Sequence, residues 1–389
     1  MIWLIKGEKM RNQKSEKVLI IHNNDFPELE TVCSEEPPSQ EDNYLSGISA
    51  RAGVKIVAHH IQNTLKNAGF PDVQIYPVTK LEEIHAITKS PHHGIIFNLC
   101  ESLDSDPNME IEIIKILENG TCKFTGNKTK PLANCLDKFR CSTLLKSVGV
   151  TVPDCFYIKE ESDLDTIANP FETHNKYIVK PNAEDGSTGI DFSSVVTSKE
   201  ELHTKVCELL KSTKSGVIIQ EYIEGREINL SVLDISKSLF GFTEIDFSNL
   251  NTEKPRILNY ASKWCADTDE FHTTPSIITS LQNKYKKKIL ESAKRACEVL
   301  EINSYARLDY RVSEQGVPYI IDVNPNCDLD PTSGFSKAFG FRNISYEKII
   351  TNIVKKAHTP QKAPVSESPS PFLFPSMAST NLNYEYTTN

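Results

Sequence analysis

With 389 residues, 39% of them hydrophobic, the chain is long enough to bury two or three domain cores. Its net charge of −9 argues against broad affinity for nucleic acid or for anionic membranes, leaving small molecules as the expected partners. The opening MIWLIKGEKM is too short and too interrupted for a signal sequence or a membrane span, and Met10 is an alternative start to Met1. The ten cysteines are scattered, with no C-x-x-C pair and no cysteine–histidine cluster at zinc spacing. Reduced thiols in a cytoplasmic protein are the expectation.

KVLIIH (17–22) reads as the first strand, followed by a polar loop through Pro37 and Pro38. Ile56–Leu65 has the spacing of an amphipathic helix, Val73–Pro77 reads as a strand, and GIIFNL (94–99) suits a short buried parallel strand. Strands alternating with helices at this spacing predict a Rossmann-like α/β domain. The G-x-G-x-x-G fingerprint is missing after the first strand, which argues against NAD. From about residue 130 the texture changes. LDKFRCSTLLKSVGVTVPDCFYI predicts a helix, a turn at Gly149 and a strand led by Pro153. KYIVKP (176–181), VIIQEYI (217–223), INLSVLDI (228–235) and LFGFTEIDF (239–247) are further strands of an α+β half. The basic run Lys284–Lys288 opens an amphipathic helix with Ile289, Ala293 and Leu300 facing inward. After His358 the Pro/Ser/Thr/Asn-rich sequence predicts a disordered tail.

Three segments carry chemistry. In KYIVKPNAEDGSTGIDF (176–192), a strand delivers Lys180 and a small-residue loop leads to another strand. Such a loop can turn its backbone N–H groups onto phosphates, although a flexible hairpin loop looks the same. In VIIQEYIEGREINLSV (217–232), a strand ends at Gln220–Ile223 and a Gly225 turn returns Glu227. Backbone edges near Tyr222 could read an adenine, with a carboxylate for ribose hydroxyls; an ordinary hairpin is the alternative. In YARLDYRVSEQGVPYIIDVNPNCD (305–328), period-two alternation pairs Arg307 with Asp309, and Asp322 with Asn324. A two- or four-residue turn would put all four on one face, and a three-residue turn would split them. Such a quartet is costly to bury unless it is mutually satisfied or holds something charged.

Together these segments resemble the ATP-grasp superfamily, and within it the D-alanine–D-alanine ligases, over roughly residues 17–358. The family's "tGN…DK" is matched by Thr125-Gly126-Asn127 and Asp137-Lys138. Its "VKP…S.G" loop is matched by Val179-Lys180-Pro181 and Ser187-Thr188-Gly189, and its "EYI.GRE" hinge by Glu221–Glu227. Its "aKY" loop appears as Ala261-Ser262-Lys263-Trp264, and its metal strands as Ala306–Asp309 and Asp322–Asn324. The resemblance implies an ATP-grasp fold. A Rossmann-like domain (17–125) follows an N-terminal extension (1–16), and ATP lies between a central α+β subdomain (126–218) and a C-terminal α+β subdomain (219–358); the tail is 359–389. It implies an ATP-dependent carboxylate–amine ligase that forms an amide through an acyl phosphate. Asp309, Asp322 and Asn324 would hold two Mg²⁺ ions, with Mn²⁺ a substitute. Lys138 and Lys180 would clamp the ATP phosphates beside Ser187, and Lys263 would close over them from a mobile loop of about 249–272. Gln220, Glu221, Tyr222 and Ile223 would bind the adenine, Glu227 the ribose, and Arg307 the acyl phosphate and the oxyanion that follows.

The pattern breaks where those ligases hold their amino acids. Gly186 stands where the first of two serines is expected, and Trp264 replaces a tyrosine. After Asn324 the chain reads Pro325-Asn326-Cys327-Asp328-Leu329-Asp330-Pro331-Thr332-Ser333-Gly334-Phe335 in place of "T.PGMT..S". Ser333 keeps the serine position and Gly334 follows it, Asp328 and Asp330 add negative charge, and Glu101 marks a segment that departs from the family's histidine–glycine pattern. Acids here would attract an amine or a cationic side chain, or Asp330 only caps a turn. The expected substrates are therefore amino acids or small peptides other than the family pair, with a homodimer an open option. D-alanine–D-alanine ligation for peptidoglycan and a catalytically silent nucleotide-binding module are the alternatives.

Overall fold

The computed structural model describes residues 16–25, 43–90, 94–104, 106, 108–234, 236–265 and 267–359. The opening decapeptide, the Pro37-Pro38 loop and the tail from 360 onward lie outside the described residues. Strands β1 (Val18–Asn23), β2 (Val73–Val78), β3 (Ile95–Asn98) and β4 (Lys123–Phe124) form a parallel sheet in the order β2-β1-β3-β4. Their connections carry helices Asn43–Asn67, Leu81–Lys89 and Asn108–Glu118, as the Rossmann-like reading requires. The first helix begins well before Ile56.

A second, antiparallel sheet holds β5 (Cys155–Ile158), β6 (Tyr177–Pro181), β7 (Val195–Val196) and β8 (Val217–Glu221) in the order β5-β8-β6-β7. The strand expected directly after the small-residue loop shrinks to the two residues of β7, because a short 3₁₀ turn, Phe192–Ser194, precedes it. The expected division at 218/219 falls inside β8. The third sheet, also antiparallel, orders β9 (Arg226–Asp234), β10 (Leu239–Ile245), β11 (Ser276–Ile278), β12 (Ala306–Val312) and β13 (Pro318–Pro325) as β11-β10-β9-β12-β13. One hydrophobic cluster joins the first sheet to the third: Ile20 and Phe97 share a core with Leu233, Tyr305, Phe335 and Ile350. Leu99, just after β3, shares that core with Tyr305 and Cys327, which flank the open end of the β12–β13 hairpin.

The hairpin answers the question its sequence raises. Val312 pairs with Pro318, so the turn has the odd length that would split the polar quartet. A bulge between Asp309 and Tyr310 leaves Ile321 as the extra residue and shifts the register by one. Asp309 then faces Asp322, and Arg307 faces Asn324, on a single face of the sheet. Asn127, fully buried, braces this arrangement. Its amide side chain donates to Tyr305 O at 2.7 Å and accepts from the Asn303 and Ser304 amides, while its own N–H meets Asn326 Oδ1 at 2.6 Å. Gly225 closes the turn between β8 and β9 at φ +146°, where a Cβ would sit 2.2 Å from Val312 O. Gly225→Ala is expected to destabilise the fold by about 3 kcal/mol through overpacking against backbone, read as a lower midpoint in chemical denaturation.

Candidate active site

The site is built on the face of the third sheet that meets the second. Arg307 donates to Asp309 through Nε at 2.7 Å and Nη2 at 2.8 Å, a bidentate pair, and Asp309 also accepts from Asn229 Nδ2 at 2.7 Å and Asn324 Nδ2 at 3.2 Å. Burial works against the Arg307 charge, but Asp309 outweighs it and raises the guanidinium's pKa. Asp322, across from Asp309, is drawn the other way: burial raises its pKa, yet Lys138, Lys180, Lys263 and Arg307 together bring it below the ordinary carboxylate value.

Three lysines come from separate elements, of which only Lys180 lies on the second sheet. Asp137 caps the helix Lys138–Ser147 by accepting from the Arg140 amide, and it also accepts from Asn182 Nδ2, which ties the helix start to the end of β6. Lys138, buried there, donates to Glu184 O at 2.7 Å and lies 3.7 Å from Asp185 and 3.9 Å from Asp322. Burial opposes its charge, but Asp322 and Asp185 prevail and its pKa rises. Lys180 reaches the carbonyl of the bulge residue Ile321 at 3.3 Å, and burial lowers its pKa. Lys263 comes from the short helix Tyr260–Trp264; burial and the neighbouring Arg307 lower its pKa. The structure therefore brings together Lys138, Lys180, Lys263, Arg307, Asp309, Asp322 and Asn324, all predicted from sequence.

The hinge is more divided. Gln220 shares the Lys180 face and lines a gap of about 10 Å³ with Lys138, Cys141, Ile320 and Asp322. The Glu221 side chain turns to the opposite face and pairs with His174 at 3.1 Å, while its amide and that of Tyr222 donate to the Asp154 and Lys176 carbonyls. Ile223 is the next amide along. Glu227 is buried against Arg311 at 2.9 Å; burial raises its pKa and Arg311 opposes that. Arg311 also lies 5.7 Å from the Tyr222 ring centroid and donates to the Gly225 and Arg256 carbonyls. Arg311 and Asn229 escaped the sequence reading. Alternation alone could have found them, since Glu227, Asn229, Arg307, Asp309 and Arg311 fall at period two on paired strands.

The residues expected near the amino acids are also placed. Ser333 caps the helix Gly334–Gly340, accepting from the Ser336 amide and donating to Asp328 O at 3.1 Å. Asp330 accepts from Thr332 N and Oγ1, the turn-capping role. Burial raises the pKa of Asp328. Burial also raises that of Glu110, an acid not singled out in the sequence, which accepts from Asn326 Nδ2 at 3.1 Å. Glu101 is exposed, with its amide on Asn23 Oδ1. Ser187 sits at φ +65° and gives its hydroxyl to Leu258 O at 2.9 Å, within the segment expected to close over the phosphates. A larger cavity of about 400 Å³, lined by Phe139, Lys146, Asp154 and Tyr177, contains none of the predicted site residues.

The family model for the D-ala D-ala ligase C-terminus matches residues 144–355. D-alanine–D-alanine ligase B of Clostridium perfringens is 33% identical over 276 residues, covering 67% of this chain and 85% of that protein. The chain belongs to the D-alanine–D-alanine ligase family. It is thus an ATP-dependent ligase that joins a carboxylate to an amine. The ATP-grasp fold is shared with the D-alanine–D-alanine ligase of Bacillus anthracis crystallised with ATP (TM-score 0.62, 17% identity, 88% of this chain and 96% of that one). It is shared equally with the D-Ala:D-Ser ligase VanG of Enterococcus faecalis (TM-score 0.61, 17% identity, 88% and 99%). Among the described residues no helix is long and apolar enough to cross a membrane, and the described cysteines are unpaired.

Proposed function

We propose that this ligase phosphorylates the carboxylate of an amino acid or small peptide and passes the acyl group to an amine, on substrates other than a pair of D-alanines. The observation that carries the catalytic part is a charge imbalance. Lys138, Lys180, Lys263 and Arg307 converge on Asp309 and Asp322, while Glu227 is already matched by Arg311. A surplus of buried cations suits a polyphosphate, which also satisfies lysines whose charge burial disfavours. Asp309, Asp322 and Asn324 offer hard oxygen donors on one sheet face, a set that fits Mg²⁺ and accepts Mn²⁺. A bound metal would offset charge on the transferred phosphoryl group.

The chain's own groups then divide the work. Lys138 and Lys180 hold ATP, with the base against Gln220 and the Ile223 amide and the ribose near Glu227. A carboxylate oxygen of the first substrate attacks the γ-phosphorus, ADP departs, and Lys263 shields the site from water. Arg307, held in one orientation by its bidentate bond to Asp309, binds the acyl phosphate and the oxyanion formed when the amine nitrogen attacks the acyl carbon. Phosphate leaves with the C–O bonding electrons and takes up the proton that the amine gives up. The gap around Gln220 is too small for a purine, so ATP entry requires the second and third sheets to part.

The substrate reading rests on the departures from the family sequence at Gly186, Trp264 and Cys327–Phe335 and on the acids Asp328, Glu101 and Glu110, which favour an amine or cationic group nearby. We place the enzyme in the cytoplasm and leave a homodimer as its assembly option. ADP release measured across amino-acid pairs tests the substrate reading: a mixed pair is expected to exceed D-alanine alone. Strongest turnover with D-alanine alone would reverse it. Metal-dependent ATP binding without ADP release for any pair would favour a silent module.

A further inference from the structure

Gly186 and Trp264, two of the departures from the family sequence, meet in space. Trp264 Nε1 donates to the Gly186 carbonyl at 2.9 Å, and a Cβ built on Gly186 would lie 3.5 Å from that same nitrogen. Gly186 sits at φ +65°, in the left-handed region that disfavours a side chain. Glycine at this point leaves the turn unstrained, while a Cβ would make only ordinary contact with the indole. Around the bond, the segment carrying Lys263 is tied to the phosphate loop twice more, by Ser187 Oγ to Leu258 O at 2.9 Å and by the Tyr260 amide to Ile190 O at 3.1 Å. Lys254 lies 4.8 Å above the Phe192 ring and pairs with Glu270 at 2.7 Å, which fixes the two ends of the same segment.

We propose that Trp264 is a positioning residue whose indole N–H latches the lid to the Gly186 carbonyl, holding Lys263 over the phosphates while making no contact with the amino acids. The inference rests on the reading of Lys263 as a phosphate ligand. Trp264 directly follows Lys263 on a five-residue helix, so freeing the indole lets that helix swing and takes the lysine with it. The Trp264 ring is spent on the loop backbone, so the first substrate must be oriented by other groups. This is a physical reason for altered substrate choice at a site whose ATP machinery is kept. Phenylalanine is the informative replacement, because it keeps the aromatic bulk and deletes only the donor.

The test compares wild type, Trp264→Phe and Lys263→Ala in three measurements. These are hydrogen–deuterium exchange across 254–265 with Mg²⁺–ATP as the probe, steady-state ADP release with the best amino-acid pair, and thermal midpoint. Trp264→Phe is expected to lose most of the ATP-induced protection of the lid and about tenfold in kcat, with a smaller change in the amino-acid KM and an unchanged midpoint. Wild-type lid protection and kcat in Trp264→Phe would overturn the latch, whatever Lys263→Ala does. A raised amino-acid KM with unchanged kcat would also overturn it, by making Trp264 a substrate contact. Full activity in Lys263→Ala would refute the lysine reading. In that case lost lid protection in Trp264→Phe without a fall in kcat would leave a latch with no catalytic part, overturning the positioning role.

Discussion

Asp322→Asn is expected to abolish any advantage that Mg²⁺ gives to ATP. In the free protein this carboxylate is the shared partner of Lys138, Lys180, Lys263 and Arg307, which hold its pKa below the ordinary value against the effect of burial. Removing its charge has opposite consequences for the two forms of the nucleotide. Without divalent metal, ATP competes with Asp322 for the same lysines, so the variant is expected to bind metal-free ATP at least as well as wild type. With Mg²⁺, the proposed site gains a charged carboxylate ligand in wild type, whereas the variant offers only a neutral amide oxygen. ADP release is expected to fall by about a thousandfold, near 4 kcal/mol, the scale of losing metal-assisted charge neutralisation in the transfer step. Stability moves as well. Because the folded pKa is depressed, the carboxylate's contribution is complete at neutral pH and is lost only as pH falls through that lowered value. The asparagine variant should therefore be less stable than wild type at pH 7, and the difference should shrink on acidification. Calorimetry of ATP binding with and without EDTA, paired with melting curves, checks both signs. A variant with an intact Mg²⁺ effect would remove Asp322 from the metal set.

Arg307→Lys is expected to bind ATP nearly normally and to lose about a hundredfold or more in rate, roughly 3 kcal/mol, the usual scale for one lost donor at an oxyanion. Lysine keeps the charge but lacks the planar fork that spans both oxygens of Asp309 and can present two donors to a phosphate. The same bidentate pair offers a plainer account, in which Arg307 exists to satisfy a buried Asp309. Under that account the variant loses thermal stability and ATP affinity together, because Asp309 would depend on Asn229 and Asn324 alone. Rate, ATP affinity and melting temperature measured on one variant separate the two. A destabilised protein whose folded fraction turns over at full rate would refute the catalytic role.

The strand-borne part of the site was legible because period-two alternation is local and strong. Alternation alone places Arg307 with Asp309 and Asp322 with Asn324. Their meeting across the hairpin was not legible, since it depends on the bulge at Ile321, and a one-residue slip in register has no signature in a run such as PYIID. Side-chain direction in the hinge follows from alternation, and only the partner was hidden. Glu221 follows Gln220 by one residue and so turns to His174, on the face away from Lys180. Long-range partners were the least readable. Alternation puts Arg311 on the Arg307 face but does not pair it with Glu227, and nothing near Gly186 announces Trp264, because each pair forms only when distant segments fold together. The shared core between the first and third sheets is likewise a property of packed faces, which single-element patterns do not encode.

The measurement closest to the central claim follows oxygen atoms through one turnover. The first substrate is supplied with oxygen-18 in its carboxylate, and the phosphate released alongside ADP is analysed by mass. Attack of that carboxylate on the γ-phosphorus, followed by amine attack on the acyl carbon, carries one labelled oxygen into every phosphate. Phosphate bearing the label in proportion to amide formed is the predicted result. Unlabelled phosphate accompanying amide formation would contradict the account.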